Sequence, residues 1–463
     1  MAVEGRTHRP IVDTELCQGC SVCLRACPAE CFYELRSNTD TARGYVYTNT
    51  DIARKEGLPP CVDACPINQE VREYVQLLEK GQVKEALMVI RRDNPLPGVC
   101  GYVCHHPCEQ VCIRGTWDDP VAIRELKRYA VHYEMEHSNE IVDALLERKQ
   151  PSRGKKVTIV GAGPAGLACG YELAMQGYSV TIMDALTQPG GMLVRAIPPF
   201  RLPRYVVAHD VSVIRSLGVT IINSIRIGKD MSLEALKKEG GDALVLAVGT
   251  QEAASIGLEG EDSEGFMDWL NFLEKTNTGN AIALHGRVLV VGGGNVALDV
   301  ARSALRFGAN RVEVLSLEKE NEMPADPFEF EMAKREGIDF RFQVAPVAIL
   351  QRNGEVTGVS CAPAHLGWDE LGRRVPTILA GKQMEVKGDF VISATGQTAE
   401  LSFLPEKSIS EKDTIALDKK GHIKGYQGIF AGGDAVIGPS AVVESMGSGK
   451  AAAKRVMDYL ETM

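Results

Sequence analysis

The chemistry written into this chain is concentrated in its cysteines and its glycines. Cys17, Cys20, Cys23, Cys27 and Pro28 spell C-x2-C-x2-C-x3-C-P. Such short spacings let several thiolates converge on one iron-sulfur cube, the fourth Cys usually reaching a neighbouring cluster. A zinc site would favour two separated C-x2-C pairs instead. Eleven of the 13 cysteines fall between Cys17 and Cys112, and only Cys169 and Cys361 follow. A disulfide framework fits the number, but clustered thiols in a long chain without a leader point to metal.

The glycines point to nucleotides. Between Lys156 and Asp184 the chain reads strand, Gly161-x-Gly163-x-x-Gly166, apolar helix, strand. The first glycine permits a tight turn, the second lets backbone approach a pyrophosphate, and the third lets helix and strand pack closely. Pro164 and Ala165 complete the loop, whose helix N-terminus suits a diphosphate. Asp184 ends the second strand where an acid can accept hydrogen bonds from an adenosine ribose. A second unit begins at RVLVVGGGNVALDVARSALRFG, with Gly292, Gly294 and Ala297 as G-x-G-x-x-A and Asn295 inside the turn. Two such units separate a two-dinucleotide reductase from a single-cofactor dehydrogenase.

Composition narrows the class. The net charge of -10 gives no support to nucleic-acid binding. No apolar run approaches the ~18 residues of a membrane span, and the first residues lack a signal-peptide core. A cytoplasmic location is the corresponding expectation.

The cysteines also bracket an amphipathic segment, VREYVQLLEKGQVKEALMVIRRDNPLP, with Cys61 and Cys65 before it and Cys100, Cys104, Cys108 and Cys112 after it. This arrangement resembles the N-terminal iron-sulfur domain of the glutamate synthase small subunit, which dihydropyrimidine dehydrogenase shares. The run from Cys17 resembles bacterial ferredoxins. The first resemblance implies Cys65, Cys104, Cys108 and Cys112 as ligands of one 4Fe-4S cluster. Relatives carry a further C-x2-C ahead of Cys61, where this chain has ARKEGLPP. The ferredoxin-like Cys17, Cys20, Cys23 and Cys27 are therefore expected to hold the second of two clusters, with Cys61 or Cys100 as alternatives for its fourth ligand. His105 and His106 read as solvent-facing or packing groups. The charges of DDPVAIRELKRYAVHYEMEH read as the solvated face of a helix on the cluster domain.

The resemblance to the glutamate synthase small subunit continues to the C-terminus. It implies that Gly190, Gly191 and Arg201, in QPGGMLVRAIPPFRLPR, lie along a flavin, and that Asp434 in the Gly433-Asp434 turn of AGGD bonds the ribityl chain. Gly249 in ALVLAVGT and Gly396 in FVISATGQ form matching strand-end turns, the second read as the return to the flavin domain. The expected fold is α/β, with two Rossmann-like dinucleotide-binding domains in a disulfide-reductase-like architecture behind an α-helical iron-sulfur domain. Its parts are a ferredoxin-like segment at 1–50, a helical iron-sulfur domain at 51–150, an FAD domain at 151–255 and 390–463, and an inserted NAD domain at 256–389. Relatives using NADP carry Tyr-Arg-Arg where this chain has Ser316, Leu317 and Glu318. A 2'-phosphate wants cationic partners, whereas Glu318 could accept from a free 2'-hydroxyl, so NAD is favoured. The alternative leaves Glu318 in solvent and gives a phosphate to Lys319 or Arg335.

Nicotinamides move electrons in pairs and iron-sulfur clusters move them singly, while a flavin does both. The expectation is an electron-transfer subunit joining NAD(H), FAD and two 4Fe-4S clusters to a ferredoxin or to the iron-sulfur partner subunit of an oxidoreductase complex. Hydride transfer to flavin requires no acid-base pair, so no catalytic side chain is named. A disulfide reductase would need a redox-active cysteine pair near the flavin, where only the separated Cys169 and Cys361 occur. A self-contained NADH-dependent reductase of a small molecule is the third class.

Overall fold

The computed structural model describes residues 59–463 except 280–281, 369–373, 380 and 382. The run from Cys17 to Cys27 lies outside the described residues.

The described chain begins with a helical domain. Its helices are α1 (Pro60–Asp63), α2 (Val71–Glu79), α3 (Val83–Asp93), α4 (Pro97–Val103), α5 (Pro107–Gln110), α6 (Ile123–Glu136) and α7 (Ser138–Arg148). The three short helices that carry Cys61, Cys100 and Cys108 each start on a proline, whose missing N–H costs nothing at that position. The segment read as one amphipathic stretch is two helices, because Gly81 takes a left-handed turn at φ +72 between them. Helix α4 lies hard against α6: a side chain at Gly101 would come within 3.0 Å of Arg128 Cα.

The reading of α6 as carrying a solvated charged face fails at two residues. Lys127 is 7% exposed and Glu134 fully buried. The Arg91 guanidinium on α3 grips Glu134 with two bonds of 2.9 and 2.7 Å and reaches Asp210 Oδ1 at 2.9 Å. Asp210 belongs to the next domain, so this buried trio fastens the two together.

That next domain contains β1 (Lys156–Val160), α8 (Pro164–Met175), β2 (Ser179–Met183), α9 (Met192–Arg195), α10 (Arg204–Ser216), β3 (Thr220–Ile222), α11 (Leu233–Glu239) and β4 (Ala243–Leu246). The inserted domain follows after β5 (Glu252–Ala253). It holds β6 (Phe266–Asp268), α12 (Trp269–Asn277), β7 (Arg287–Val291), α13 (Asn295–Arg306), β8 (Arg311–Leu315), α14 (Pro327–Arg335) and β9 (Asp339–Arg341). The antiparallel strands β10 (Val344–Arg352), β11 (Glu355–Trp368), β12 (Arg374–Ile378) and β13 (Met384–Lys387) precede β14 (Phe390–Ser393). The chain leaves through β15 (Gln397–Thr398), then closes with β16 (Ile429–Ala431), α15 (Asp434–Ile437) and α16 (Val442–Leu460).

Two five-stranded parallel sheets result, ordered β16-β4-β1-β2-β3 and β6-β14-β7-β8-β9. The arrangement is the same in each: a side chain at Gly161 would stand 2.2 Å from Ala247 O, and one at Gly292 would stand 2.4 Å from Ala394 O. Each glycine turn therefore lies on the carbonyl just past the neighbouring strand. This corrects one boundary. Phe390–Ser393 pairs with β6 and β7, so it is a central strand of the inserted domain rather than the return to the first. The two strands echo each other in sequence because they do the same job in different sheets. The crossing itself is the small β5–β15 ribbon.

One apolar core runs continuously from the helical domain through α8, α10 and α16. The inserted domain has cores of its own. Among the described residues no helix is long and apolar enough to cross a membrane.

Candidate functional site

The thiols of Cys65, Cys100, Cys104 and Cys108 lie within electrostatic reach of one another. Cys65, Cys100 and Cys108 are buried and Cys104 partly so. Burial pushes the Cys108 thiol up to about 12. Three of the four thiols implied for one cluster are therefore gathered, and the fourth, Cys112, is not among the principal groups acting on them. Cys100 stands with them as well, four residues from Cys104 and so one helical turn away. Cys112 follows α5, where the chain turns toward the exposed Trp117. Among the described residues no three His, Cys, Asp or Glu side chains close on a single-ion site.

The chemistry of this pocket nevertheless fits a cluster. Lys127, largely buried, has the four thiols as its principal charged neighbours. A buried ammonium needs counter-charge, and thiolates on iron supply it. The neighbouring histidines have packing roles: His106 Nδ1 is 3.1 Å from Cys104 O, and His105 Nε2 is 3.3 Å from Glu444 Oε1 on α16.

The first dinucleotide unit opens on a cleft that is open to solvent, with about 1080 Å³ of empty space when that open solvent is included. Gly161, Gly163, Pro164, Ala165, Asp184, Gly191, Gly249, Gly433 and Asp434 all line it. Gly191 approaches Gly163 so closely that a side chain would stand 2.9 Å from the Gly163 Cα, which keeps this stretch of the cavity wall to bare backbone. Gly166 and Gly190 support the wall from behind, Gly190 N donating to Ala162 O at 2.8 Å. Asp184 lines the cavity with its carboxylate already engaged. Its oxygens accept from Ala162 N at 2.5 Å and Leu186 N at 2.7 Å, so it braces the glycine turn. Burial raises the carboxyls of both Asp184 and Asp434. Ser440 Oγ donates to Asp434 Oδ1 at 2.6 Å. Ser440 and Ser445, missed in the sequence, lie in the AVIGPSAVVESMGSGK stretch that follows the Gly-Gly-Asp turn.

Arg201 is not in that wall. It pairs with Asp299 at 2.6 Å and with Glu329 at 3.1 Å, both in the inserted domain. Its loop is thus a strut between the two dinucleotide domains.

In the inserted domain Gly292, Gly294, Asn295 and Ala297 form the turn and first helical residues of α13, Asn295 Oδ1 accepting from Asp326 N at 2.8 Å. Glu318 leans over this turn: a side chain at Gly293 would stand 2.5 Å from Glu318 Oε2. Ser316 Oγ, fully buried, donates to the same oxygen at 2.6 Å and fixes it there. Lys319 pairs with Glu322 and Arg335 with Glu331, both at the surface. Gly396 O accepts from Trp269 Nε1 at 2.9 Å, which places Gly396 at the domain crossing. Cys169 is buried in the first core and Cys361 in the second, so they form no pair.

Helix α16 joins the two sites. Ser445 lines the cavity, Met446 Sδ lies 3.9 Å from Cys100 Sγ, and a side chain at Gly447 would stand 2.8 Å from Pro66 O, next to Cys65.

Residues 155–453 match the pyridine nucleotide-disulphide oxidoreductase family, and residues 55–139 match the dihydropyrimidine dehydrogenase domain II, 4Fe-4S cluster family. The chain is 42% identical to the NADPH-Fe(3+) oxidoreductase subunit beta of Geobacter sulfurreducens, over 87% of this chain and 64% of that one. It is 39% identical to the NADP(+)-dependent formate dehydrogenase subunit beta of Moorella thermoacetica, over 87% and 60%. The chain thus spans less than two thirds of the length of either. It is 32% identical to the glutamate synthase [NADPH] small chain of Escherichia coli K12, over 91% and 92%. Among solved structures, Mycobacterium tuberculosis FprA is similar in fold, with a TM-score of 0.58, 18% identity, and coverage of 68% of this chain and 85% of that one.

Proposed function

Since the chain belongs to the pyridine nucleotide-disulphide oxidoreductase family, in the branch of the glutamate synthase small chain, we propose that it is the electron-transfer subunit of a larger oxidoreductase complex. In this reading it exchanges electrons between NAD(H) and 4Fe-4S clusters through FAD, and passes them to or from a ferredoxin or an iron-sulfur partner subunit. The observation that carries the reading is the double contact of α16. One face of its first turns borders the flavin cavity and the other touches the cysteine pocket. When bound, FAD converts the two-electron chemistry of a nicotinamide into single-electron exchange with iron-sulfur centres.

The residues divide the work. The glycine turns at Gly161 and Gly292 hold the backbone open for two dinucleotides, and Asp184 braces the first. Asp434, with Ser440 behind it, offers a hydrogen-bonding group to the flavin's polar chain. Cys65, Cys104 and Cys108 would hold one cluster, with Cys100 a further thiol in the same group. The Cys17 to Cys27 run would hold the second.

NADH is the proposed nicotinamide, although three named relatives are NADPH or NADP(+) enzymes. The support is local. Glu318 is held over the glycine turn by Ser316, so a 2'-phosphate arriving there would meet a carboxylate, whereas a 2'-hydroxyl could donate to it. The pairing of Lys319 and Arg335 with surface carboxylates is too weak an argument by itself, since such pairs contribute little.

An anaerobic titration of cluster-replete protein with NADH, and separately with NADPH, tests this. Flavin bleaching followed by cluster reduction with NADH is the expected result. Equal response to NADPH would overturn the specificity, and protein containing neither flavin nor iron would overturn the whole assignment. No step needs a redox-active disulfide, and Cys169 and Cys361 sit in separate cores, which disfavours disulfide reduction.

A further inference from the structure

We propose that Lys127 is the built-in counter-charge of the cluster at Cys65, Cys104 and Cys108, raising that cluster's reduction potential so that it accepts electrons readily from the flavin side. This rests on the reading of the pocket as a cluster site. Lys127 sits on α6 next to Arg128, where that helix meets α4: a side chain at Gly101 would stand 3.0 Å from Arg128 Cα, so the absence of one lets the two backbones approach to contact distance. The residues flanking Gly101 on α4 include Cys100, and Cys104 caps the same helix. Lys127 lies largely buried beside the thiols, with 7% of its surface exposed.

Among the described residues no carboxylate offers it a counter-charge by ion pairing, and its principal charged neighbours are Cys100, Cys104, Cys65 and Cys108. The adjacent basic residues of α6 are spent elsewhere: Arg124 bonds Cys104 O at 3.3 Å and lies beside Glu125, and Arg128 pairs with Glu125. A lone buried ammonium is unfavourable unless an anion shares its cavity. Cluster-bound thiolates make that anion, and each electron the cluster takes from the flavin adds one further negative charge. A fixed positive charge in a water-poor pocket stabilises the reduced form more than the oxidised form, and net charge near the cluster is among the factors that set its potential.

The test is an EPR-monitored potentiometric titration of the whole protein with Lys127→Met and Lys127→Arg. The signal to read is the one that Cys108→Ser abolishes, which separates it from any other cluster. K127M should retain iron and shift its midpoint downward by at least tenfold in the one-electron equilibrium, about 59 mV. K127R, which keeps the charge, should stay near the wild-type value. If K127M loses iron, Lys127→Gln, neutral but able to hydrogen-bond, is read in its place. An unchanged potential in the neutral variant, or an equal shift in K127R, would overturn the inference. A wild-type protein without any signal dependent on Cys108 would instead overturn the cluster reading on which it rests.

Discussion

Met446 Sδ stands 3.9 Å from Cys100 Sγ, while the preceding residue, Ser445, borders the cavity of the first dinucleotide unit. The next residue, Gly447, has no room for a side chain, which would meet Pro66 O at 2.8 Å. Three consecutive residues of α16 thus fix how far the cysteine pocket lies from the cavity proposed for the flavin. Gly447→Ala should push the Cys65 segment away and slow flavin-to-cluster transfer in stopped-flow measurements, with flavin content and NADH bleaching kept. An unchanged transfer rate would remove α16 from the route.

The cysteines give a sharper comparison. Cys65→Ser, Cys104→Ser and Cys108→Ser should each lose one cluster, about four iron atoms. Cys112→Ser should keep the EPR signal that C108S abolishes if Cys100, one of the four thiols acting most strongly on Lys127, completes that cluster in place of Cys112. Loss of the same signal in C112S would restore Cys112 to that cluster.

Nicotinamide choice should turn on Glu318. Replacing a charged hydrogen-bond acceptor costs about 1.5–3 kcal/mol, so Glu318→Gln should lower kcat/KM for NADH roughly tenfold or more. Glu318→Arg should improve NADPH relative to NADH. Steady-state rates with both nucleotides decide it, and a ratio unmoved by E318R would show that Glu318 does not face the ribose.

Acid should loosen the helical domain. Glu134 is penalised by burial, but Arg91 and His209 more than offset this and hold its carboxyl down to about 2. The unfolded value is about 4.3, so the stability this group supplies is full above that pH and is lost as pH falls toward 2. The effect is on the order of 3 kcal/mol. Glu134→Gln should lose a comparable amount at neutral pH and remove that part of the acid sensitivity, measured by denaturant unfolding between pH 2 and 7. A variant with wild-type stability would mean that Arg91 is satisfied by Asp210 alone.

The parts legible in the sequence are those governed by local rules. Gly161 and Gly292 stand at positive φ in tight turns between a β-branched strand and a helix, and both requirements act within a few residues, so their spacing reveals the two dinucleotide units. The prolines that start α1, α4 and α5 act just as locally. What only tertiary structure decided depends on distant partners. Lys127 and Glu134 look like surface charges on an amphipathic helix until Gly101 brings α4 onto α6 and Arg91 and Asp210 arrive from residues far away. Asp184 reads as a ribose ligand from its place at the strand end, and only the fold shows that its carboxylate also accepts from Ala162 N and Leu186 N. Phe390–Ser393 resembles Ala243–Leu246, and only strand pairing assigns each to its sheet. Hydrogen-bond ladders and buried charges are satisfied by whatever the fold brings near, and sequence spacing alone does not carry that information.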